Sequence, residues 1–425
     1  FGSRYWLLQP SSLVCPMISA RLPHLQRPAT RQPIACCRSR RCLSTSQCRT
    51  ATRPVLWGSS EPYKPHQPIT VGSANLAWSD LGFDYVPTNG HVRHSWKAGR
   101  WDDGTFVREP YMNVHILANV FHYGQALFEG FKVFHRKNGD VCLFNHQANY
   151  NRMKHGSARM QMQCPSYSTW TKAAEEVIRQ NVEFLPPYGS GGSLYMRPFL
   201  FGSGPKLGLG PSTEYTFAVF CNPVGSYYRT GQSPAMDCLV QDEYDRAAPL
   251  GSGDCKAAGN YAADLESMLV AKKQGYAISL YLDARERRYV EEFNTSNFVA
   301  ITKDGKYVTP HAPRSVLAST TNVCLQAMAK DMGMPVEVRP IDFEAEVDTF
   351  AEVGAVGTAV VVTPIKSFVR GEKKWEIGGG DVLQELCGRV RAIQQGEAED
   401  KHGWMQKVAI VDDQTKRLLS VYPPL

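Results

Sequence analysis

The stretch Gly251-Ser-Gly-Asp-Cys-Lys256-Ala-Ala-Gly-Asn-Tyr261 places one lysine in a glycine-rich loop, directly before a predicted helix from Asn260 to Gln274. A lysine that such a loop holds in a poorly hydrated site can lose its proton and form a Schiff base with a carbonyl group. The same pattern also fits an ordinary surface lysine in a flexible loop. The residues around Lys256 therefore have to decide between these two interpretations.

Other short catalytic motifs are absent from the sequence. Neither GxxxxGK(S/T) nor GxGxxG is present, and GxSxG and HExxH are absent as well. The 11 histidines and 12 cysteines show no metal-ligand spacing, and no two cysteines form a CxxC pair. These absences remove the main support for a nucleotide kinase, an α/β-hydrolase or a zinc protease. We predict no metal site.

Strand-like and helix-like segments alternate along most of the chain and predict two α/β domains. Residues 77–222 form the smaller, N-terminal domain in this interpretation. A loop rich in Gly, Ser and Pro, residues 223–236, leads to a larger domain, residues 237–425, which carries Lys256. Because ligands usually bind in clefts between domains, we expect the site between these two.

Seven motifs in chain order extend the pattern around Lys256. They are His122–Lys132 (HYGQALFEGFK), Asn149–Met153 (NYNRM), Leu194–Pro198 (LYMRP), Pro223–Tyr227 (PVGSY), Lys256 with Gly259-Asn260-Tyr261, Glu292–Phe298 (EFNTSNF) and Gly357-Thr358-Ala359. Together they resemble the branched-chain amino-acid aminotransferases, pyridoxal-phosphate enzymes of fold type IV, over about residues 77 to 410. The resemblance implies two α/β domains with pyridoxal 5′-phosphate in the cleft between them.

The resemblance also implies how the cofactor is held. Lys256 would bind it covalently and move a proton to and from the substrate Cα. Glu292 would hold the pyridine nitrogen protonated, and Tyr261 would hydrogen-bond the phenolic oxygen. Glu291 is the competing pyridine partner, but the E-x-x-x-x-N spacing to Asn297 favours Glu292. Guanidinium, hydroxyl and backbone amide groups suit a phosphate dianion, and the residues implied to bind it are Arg152, Thr320, Thr321 and Thr358.

A substrate site follows from the same resemblance. Aromatic side chains would form an apolar wall for a branched side chain, and Arg197 with the Thr358-Ala359 backbone would lie near the carboxylates. Tyr195 and Arg197 are two residues apart on a predicted strand, so their side chains share one face. The implied substrate-binding residues are Tyr123, Phe128, Gly130, Tyr195, Arg197, Tyr227 and Ala359.

The implied activity is ping-pong transfer of an amino group between leucine, isoleucine or valine and 2-oxoglutarate. Amino acids and 2-oxo acids would be the small-molecule partners, and the assembly would be a homodimer. A D-amino-acid or amine transaminase and an aminodeoxychorismate lyase are rivals of the same fold type, but the Phe128–Lys132 and Tyr195–Pro198 motifs favour the branched-chain interpretation. A binding protein without catalysis is the non-enzymatic alternative, and it is disfavoured by the joint retention of Lys256, Glu292, Arg152 and Tyr261.

Three segments depart from the pattern of the family. Residues 317–322 read Leu-Ala-Ser-Thr-Thr-Asn where a Pro-Gly-Val-Thr-Arg run is typical, and Asn294 stands where glycine is usual. Val360–Thr363 replaces the redox CxxC of some animal mitochondrial members. The differences leave the cofactor chemistry intact and look similar to a divergent fungal subgroup that includes enzymes of secondary metabolism. The sequence therefore leaves primary and specialised pathways open.

Basic residues are concentrated at the N-terminus. The chain has 425 residues with 47 Lys and Arg against 40 Asp and Glu, and residues 1–43 contain seven arginines but no Lys, Asp or Glu. The remaining 40 basic and 40 acidic residues balance, which argues against a nucleic-acid partner. An Arg- and Ser-rich leader without acids is typical of a mitochondrial transit peptide. We expect residues 1–43 to direct the chain to the mitochondrial matrix and residues 44–76 to form a flexible arm.

A basic tail without a targeting role is the alternative for the leader.

The longest nearly apolar stretch of the chain is Val353–Pro364. This stretch is much shorter than the roughly 20 apolar residues that a membrane helix needs. We therefore predict no membrane span.

Overall fold

The computed structural model describes residues 70–225, 234–359 and 361–410, and all of them belong to one compact unit. The predicted transit peptide, residues 1–43, and the predicted arm up to residue 69 lie outside the described residues, as does Tyr227. The division into domains at residues 77–222 and 237–425 stays a prediction.

The described residues form eighteen strands and eight α-helices. The strands are β1 His91–Lys97, β2 Arg100–Trp101, β3 Thr105–Val107, β4 Ala126–Phe128, β5 Phe131–His135, β6 Val141–Phe144, β7 Ser193–Gly202, β8 Tyr215–Val224, β9 Met236–Gln241, β10 Ile278–Leu282, β11 Val290–Phe293, β12 Asn297–Thr302, β13 Tyr307–Pro310, β14 Val336–Arg339, β15 Phe350–Gly357, β16 Val361–Arg370, β17 Lys373–Glu376 and β18 Met405–Lys407. The helices are α1 Asn119–Tyr123, α2 His146–Arg159, α3 Tyr167–Gln180, α4 Ala258–Ala263, α5 Leu265–Lys273, α6 Thr320–Asp331, α7 Phe343–Glu346 and α8 Asp381–Gln395. Three short 3-10 helices are Trp78–Asp80, Val182–Phe184 and Val347–Thr349.

The first sheet is antiparallel throughout. Its strand order is β18-β6-β5-β7-β8-β1-β2, with β3 paired to β1 and β4 paired to β7. Helices α2 and α3 contribute Met153, Trp170 and Val177 to its core, and Trp170 stacks on Phe217 at a centroid distance of 5.9 Å. The chain returns to this sheet at its C-terminal end, because β18 pairs with β6.

The second sheet is mixed and partly closed. Its order is β11-β10-β9-β16-β15-β12-β13-β14, with β17 paired to β16, and β9 runs parallel to both β10 and β16. An additional antiparallel pairing joins β11 to β12 with Glu292 opposite Asn297. This pairing closes six strands into a ring, and it explains in structural terms why Glu292 and Asn297 are five residues apart.

The helices depart from the sequence prediction in one place. The predicted helix from Asn260 to Gln274 is two helices, α4 and α5, that meet at Asp264. The Asp264 carboxylate accepts a hydrogen bond from the Tyr281 hydroxyl, whose side chain is buried. Because that tertiary contact binds the residue at the junction, local helical periodicity did not reveal the break.

These elements confirm a mixed α/β fold. Within the part of the chain that the structure describes, none of the helices has the length and apolar character needed to cross a bilayer.

Candidate active site

Lys256 lies where the two sheets meet. Its carbonyl oxygen accepts a hydrogen bond from the backbone N–H of Phe128 at 3.1 Å, and Ala257 forms an isolated bridge with Leu127 of β4. The Lys256 Nζ atom lies 2.8 Å from the hydroxyl oxygen of Tyr261, which is on the first turns of α4. The first sheet thus holds the backbone at Lys256 and Ala257, although both residues belong to the second half of the chain.

The amine of Lys256 has a much reduced affinity for protons. Burial and, to a smaller extent, the positive charge of Arg152 lower its pKa, the negative charge of Glu129 partly opposes them, and the resulting pKa is about 7. A substantial fraction of the side chain is therefore a neutral amine at neutral pH. Such an amine can act as a nucleophile and as a proton carrier. Its position at the cavity, bonded to Tyr261, does not fit a surface lysine in a flexible loop.

Glu292 lies in a buried network beside the cavity. Its Oε1 atom is 2.7 Å from Arg246 Nη1 and accepts from the Leu317 N–H at 2.8 Å, while Asn297 Nδ2 donates to Oε2 at 3.2 Å. Burial raises the pKa of Glu292 to about 7, and the Arg246 charge acts in the opposite direction. Asn297 and Leu317 line the cavity, so the carboxylate is positioned just behind its wall.

Glu291 is buried as well, but on β11 its side chain makes different contacts. It forms a hydrogen bond with Ser315, and burial raises its pKa to about 7. Within the described residues its Oε2 atom has no hydrogen-bond partner. The contacts to two cavity-lining residues therefore favour Glu292 over Glu291 as the carboxylate of the site.

Arg152 projects from α2 and is held by a buried carboxylate. Its Nε and Nη2 atoms donate to the two oxygens of Glu129 at 2.7 and 2.8 Å, and Nη1 donates to the Ala318 carbonyl at 2.8 Å. Glu129 is completely buried and also accepts from Asn149 Nδ2 at 2.8 Å. The fork-to-fork geometry fixes the plane of the guanidinium group at the edge of the cavity.

The Ala318 carbonyl leads directly into α6. Ser319 caps this helix, since its hydroxyl oxygen accepts the Asn322 N–H at 3.1 Å. Thr320 lines the main cavity, and a small adjoining cavity is lined by Thr320, Thr321 and Thr358 together. Hydroxyl groups and the first amides of a helix next to a fixed guanidinium form a suitable cradle for an anion.

The cavity itself has a volume of about 390 Å³. The predicted residues that line it are Gly130, Arg152, Tyr195, Lys256, Thr320, Thr358 and Ala359. Further lining residues without a predicted role include Met236, Ile278, Thr295, Ser296, Ser319 and Thr363. The structure thus brings residues from distant parts of the sequence to one site.

Beside the cavity, the Arg197 side chain packs on the rings of Phe128 and Tyr195, and of these three residues Tyr195 lines the cavity. The Arg197 guanidinium carbon lies 5.0 Å from the Phe128 ring centroid and 5.3 Å from that of Tyr195, so the shared strand face predicted for Tyr195 and Arg197 is confirmed. Phe128 also packs on Tyr261 at a centroid distance of 4.9 Å. Gly130 is required here, because a Cβ atom at this position would overlap the Tyr195 hydroxyl.

Tyr123 does not reach this cavity within one chain. It is 40% exposed, and its hydroxyl donates a hydrogen bond to the Leu207 carbonyl. The segments around both residues lie at the surface of the first half. Any contact of Tyr123 with substrate would therefore require a second copy of the chain.

A further contact supports the loop that precedes Lys256. His155 Nε2 on α2 lies 2.7 Å from Asp254 Oδ2, one turn of helix after Arg152. Together with the buried thiol of Cys255, these groups place three potential metal-ligand atoms within 4.8 Å of one another. The histidine–carboxylate contact connects the helix of Arg152 to the loop of Lys256.

A sequence model of the family "Amino-transferase class IV" matches residues 126–368. The chain belongs to the class IV aminotransferases. A curated relative, "Branched-chain-amino-acid aminotransferase" of Helicobacter pylori, is 39% identical over 336 residues, which are 79% of this chain and 98% of the relative. This class IV aminotransferase therefore spans nearly the full length of that relative.

Solved structures agree with the assignment. The branched-chain amino acid aminotransferase of Escherichia coli is 25% identical and has a TM-score of 0.63, with 76% of this chain and 100% of that chain covered. The branched-chain amino acid aminotransferase of Thermobaculum terrenum, crystallised in its PLP-form, is 20% identical with a TM-score of 0.61, covering 76% of this chain and 99% of that one. At this identity the latter likeness shows the fold alone.

The residues at the cavity fit a pyridoxal-phosphate group. A lysine with a lowered pKa lies beside a tyrosine hydroxyl, a buried carboxylate lies behind the wall, and a guanidinium group lies next to a helix N-terminus. These are the donor and acceptor types that an aldehyde, a phenolic oxygen, a pyridine nitrogen and a phosphate need.

Sequence reasoning missed the partners of these residues. The sequence motifs assign no role to Glu129, although it lies within one of them, and they do not include Arg246. Both are buried charges that matter only because each is paired with a predicted site residue in space. The HYGQALFEGFK motif could have drawn attention to Glu129, whereas the residues around Arg246 carried no signal of their own.

The lowered pKa predicts how the apoenzyme captures pyridoxal 5′-phosphate. Only a neutral amine attacks the aldehyde, so the capture rate at Lys256 should rise about tenfold per pH unit below a midpoint near pH 7 and level off above it. Stopped-flow absorbance would measure this rate. Free Nα-acetyl-lysine amide, titrated in parallel, corrects for the ionisation of the cofactor. A midpoint near the ordinary lysine value of 10.5 would contradict the assignment.

Proposed function

We propose that this chain is a pyridoxal-phosphate-dependent aminotransferase that exchanges an amino group between leucine, isoleucine or valine and 2-oxoglutarate. The observation that carries this proposal is the amine of Lys256, with a pKa lowered to about 7, at a cavity that it shares with Arg152 and Thr358. The branched-chain donor is supported by the names of the curated relatives, including that of Helicobacter pylori.

The cofactor, when bound, supplies a ring that accepts the electrons released at the substrate Cα. Arg152 would hold its phosphate group, with hydroxyl and amide donors from Thr320, Thr321 and Thr358. Tyr261 would donate to its phenolic oxygen. Glu292 would accept a hydrogen bond from its pyridine nitrogen, and the Arg246 guanidinium favours the ionised form of Glu292 that this requires.

Lys256 would carry the proton that leaves the substrate. A pKa of about 7 allows its Nζ atom to take up a proton and return it at neutral pH without a large energetic penalty in either direction. The Tyr261 hydroxyl, 2.8 Å away, orients the amine. The Lys256 Nζ atom lies 4.8 Å and 5.1 Å from the ring centroids of Phe128 and Tyr261, which cover it on that side.

The carboxylates of the substrate would be bound at two places. Arg197, stacked on Phe128 and Tyr195, would receive the side-chain carboxylate of 2-oxoglutarate or glutamate, and the turn at Thr358 and Ala359 would receive the α-carboxylate. The rings that flank Arg197 also offer apolar surface. This cluster of side chains beside the cavity can therefore accept a branched side chain in one half-reaction and a carboxylate in the other.

A specialised donor is the second candidate. Asn294, Leu317 and Ser319 lie where the sequence departs from the usual pattern of the family, and all three line the cavity. Asn294 is fixed there, since its N–H donates to the Ser279 carbonyl at 3.0 Å. Departures from the family pattern at the cavity wall affect substrate choice, while the residues that hold the cofactor are retained.

Donor choice is tested by an absorbance spectrum of residues 44–425 with pyridoxal 5′-phosphate, before and after leucine is added without an oxo acid. We expect the band of the lysine-bound cofactor to convert to the pyridoxamine form. Lys256→Ala should lose the band and turnover, while Lys172→Ala, an exposed control, should retain both. If leucine leaves the band unchanged and another donor in a panel converts it, the result would favour the specialised candidate. If no band forms at all, both the branched-chain and the specialised candidate would be refuted.

We also propose that the active form is a homodimer. An exposed apolar patch is formed by Tyr111, Ile116, Phe121, Leu207 and Leu209. Its two segments adjoin each other, because the Lys206 N–H donates to the Leu117 carbonyl at 2.9 Å. An apolar patch of this kind is typical of a protein interface. Tyr123 lies at its edge, so a partner copy seated here would explain a substrate role for a residue that is outside its own cavity.

Light scattering of the purified mature chain tests the dimer. We expect twice the mass of one chain for the native protein, and Leu209→Asp should shift the equilibrium to the monomer, because it buries a charge in the patch. Val338→Asp, at an exposed position on β14, is the control and should leave the mass unchanged. A monomeric native protein would contradict the proposal.

We further propose that the chain acts in the mitochondrial matrix. The support is the composition of residues 1–43, with seven arginines and no acidic residue. A fusion of residues 17–60 to a fluorescent protein should concentrate in mitochondria, and replacement of its arginines by glutamine should abolish the localisation. A diffuse cytosolic signal from the unaltered fusion would overturn the proposal.

A further inference from the structure

Lys132 connects the two sheets at the edge of the site. It lies on β5 next to Phe131, a core residue of the first sheet, and its Nζ atom donates a hydrogen bond to the Ala359 carbonyl oxygen at 2.8 Å. Ala359 belongs to the turn between β15 and β16 of the second sheet. The residues of this turn that line the cavity are Gly357, Thr358 and Ala359.

The side chain of Lys132 can carry a positive charge, but the acceptor of its hydrogen bond, the Ala359 carbonyl oxygen, belongs to a neutral group. Burial lowers the pKa of Lys132 to about 8, and the charge of Arg391 acts in the same direction. Holding a cation in such a place costs free energy that a single neutral acceptor only partly offsets. A positive charge at Lys132 would be offset further by an anion that binds near the turn.

The turn itself needs external support. Val361, the first residue of β16, has a φ angle of +76°. This left-handed conformation is strongly disfavoured for a β-branched side chain, and it persists only where the surroundings enforce it. Val361 is buried, and the Lys132–Ala359 hydrogen bond lies two residues before it. The lysine is therefore one of the contacts that can hold the strained turn in place.

Other bonds across the two sheets hold residues assigned to the cofactor. Arg152 bonds the Ala318 carbonyl beside α6, and the Phe128 N–H bonds the Lys256 carbonyl. The hydrogen bond of Lys132 differs because its acceptor, Ala359, lies in the turn that would bind the α-carboxylate under the proposed function. A charged donor on the Ala359 carbonyl fixes the orientation of that peptide and polarises it.

We propose that Lys132 is a positioning residue that fixes the turn at Thr358 and Ala359 for the α-carboxylate of the substrate. The inference rests on the proposed aminotransferase function. Donor and acceptor substrates share the α-carboxylate and differ in their side chains. Loss of Lys132 should therefore raise KM for the amino donor and for 2-oxoglutarate by a similar factor, about tenfold, with a much smaller change in kcat.

Arg197 provides the contrasting case. Its removal should raise KM for 2-oxoglutarate far more than KM for leucine, because leucine has no side-chain carboxylate. The pattern of the two KM values thus separates an effect on the α-carboxylate from an effect on the side chain. A general loosening of the fold would instead lower kcat and weaken cofactor retention for both variants.

The experiment uses holoenzyme of Lys132→Met, with Lys132→Arg as the conservative variant and Lys154→Met, exposed on α2, as the control. Steady-state kinetics gives KM and kcat for leucine and 2-oxoglutarate. Hydrogen exchange of peptides across residues 353–365 is measured without substrate. We expect faster exchange and paired KM increases in Lys132→Met, partial rescue by Lys132→Arg, no change in Lys154→Met, and an unchanged cofactor band.

The inference is overturned if Lys132→Met leaves KM and exchange of the turn as in the native enzyme, or if only one KM changes. If Lys132→Met does not fold, Lys132→Gln tests the charge separately, because it keeps a donor but removes the charge, and paired KM increases are expected for it as well. Failure of the proposed function is distinguishable: a native enzyme that transaminates none of the donors refutes that function. Exchange of the turn still shows in that case whether Lys132 holds it.

Discussion

The site depends on keeping a substantial fraction of the Lys256 amine unprotonated among several charged groups. Burial and the cations Arg152 and Arg197 lower its pKa, while Glu129 and Glu292 raise it, and the balance lies near 7. Each of these groups must stay at a fixed distance for the balance to hold, because electrostatic interactions at low dielectric change steeply with separation. The architecture around the cavity supplies that rigidity.

Two ion pairs provide most of the fixed charge. Arg152 with Glu129 and Arg246 with Glu292 are both nearly inaccessible to water, with nitrogen-to-oxygen distances of 2.7 Å. Buried pairs contribute little to net stability, but removal of either partner leaves an unpaired buried charge, which is strongly destabilising. Each pair therefore acts as a unit, in which one member contacts the site and the other holds it in position.

The two sheets contribute different parts of the site. The second sheet supplies the loops and turns that line the cavity: the Lys256 loop, the start of α6 and the turn at Thr358. The first sheet supplies strand and helix residues that fix these loops through long-range hydrogen bonds, such as Arg152 to Ala318 and Lys132 to Ala359. Loops and turns carry the chemistry, and regular elements of the other sheet hold them by hydrogen bonds.

The sequence by itself determined the mixed α/β class and the family, and it predicted Lys256 as the reactive amine, because these follow from residues close together in short motifs. The spacing of Glu292 and Asn297 also favoured Glu292 over Glu291 from the sequence alone, since Glu292 and Asn297 are paired on one tight hairpin. Only the tertiary structure decided the rest: the partners Glu129 and Arg246, the break between α4 and α5 at Asp264, the exposed position of Tyr123, and the bond between Lys132 and Ala359. That last bond joins residues 227 positions apart, and contacts at such distances arise from the packing of the two sheets, which local patterns of hydrophobicity and charge do not encode.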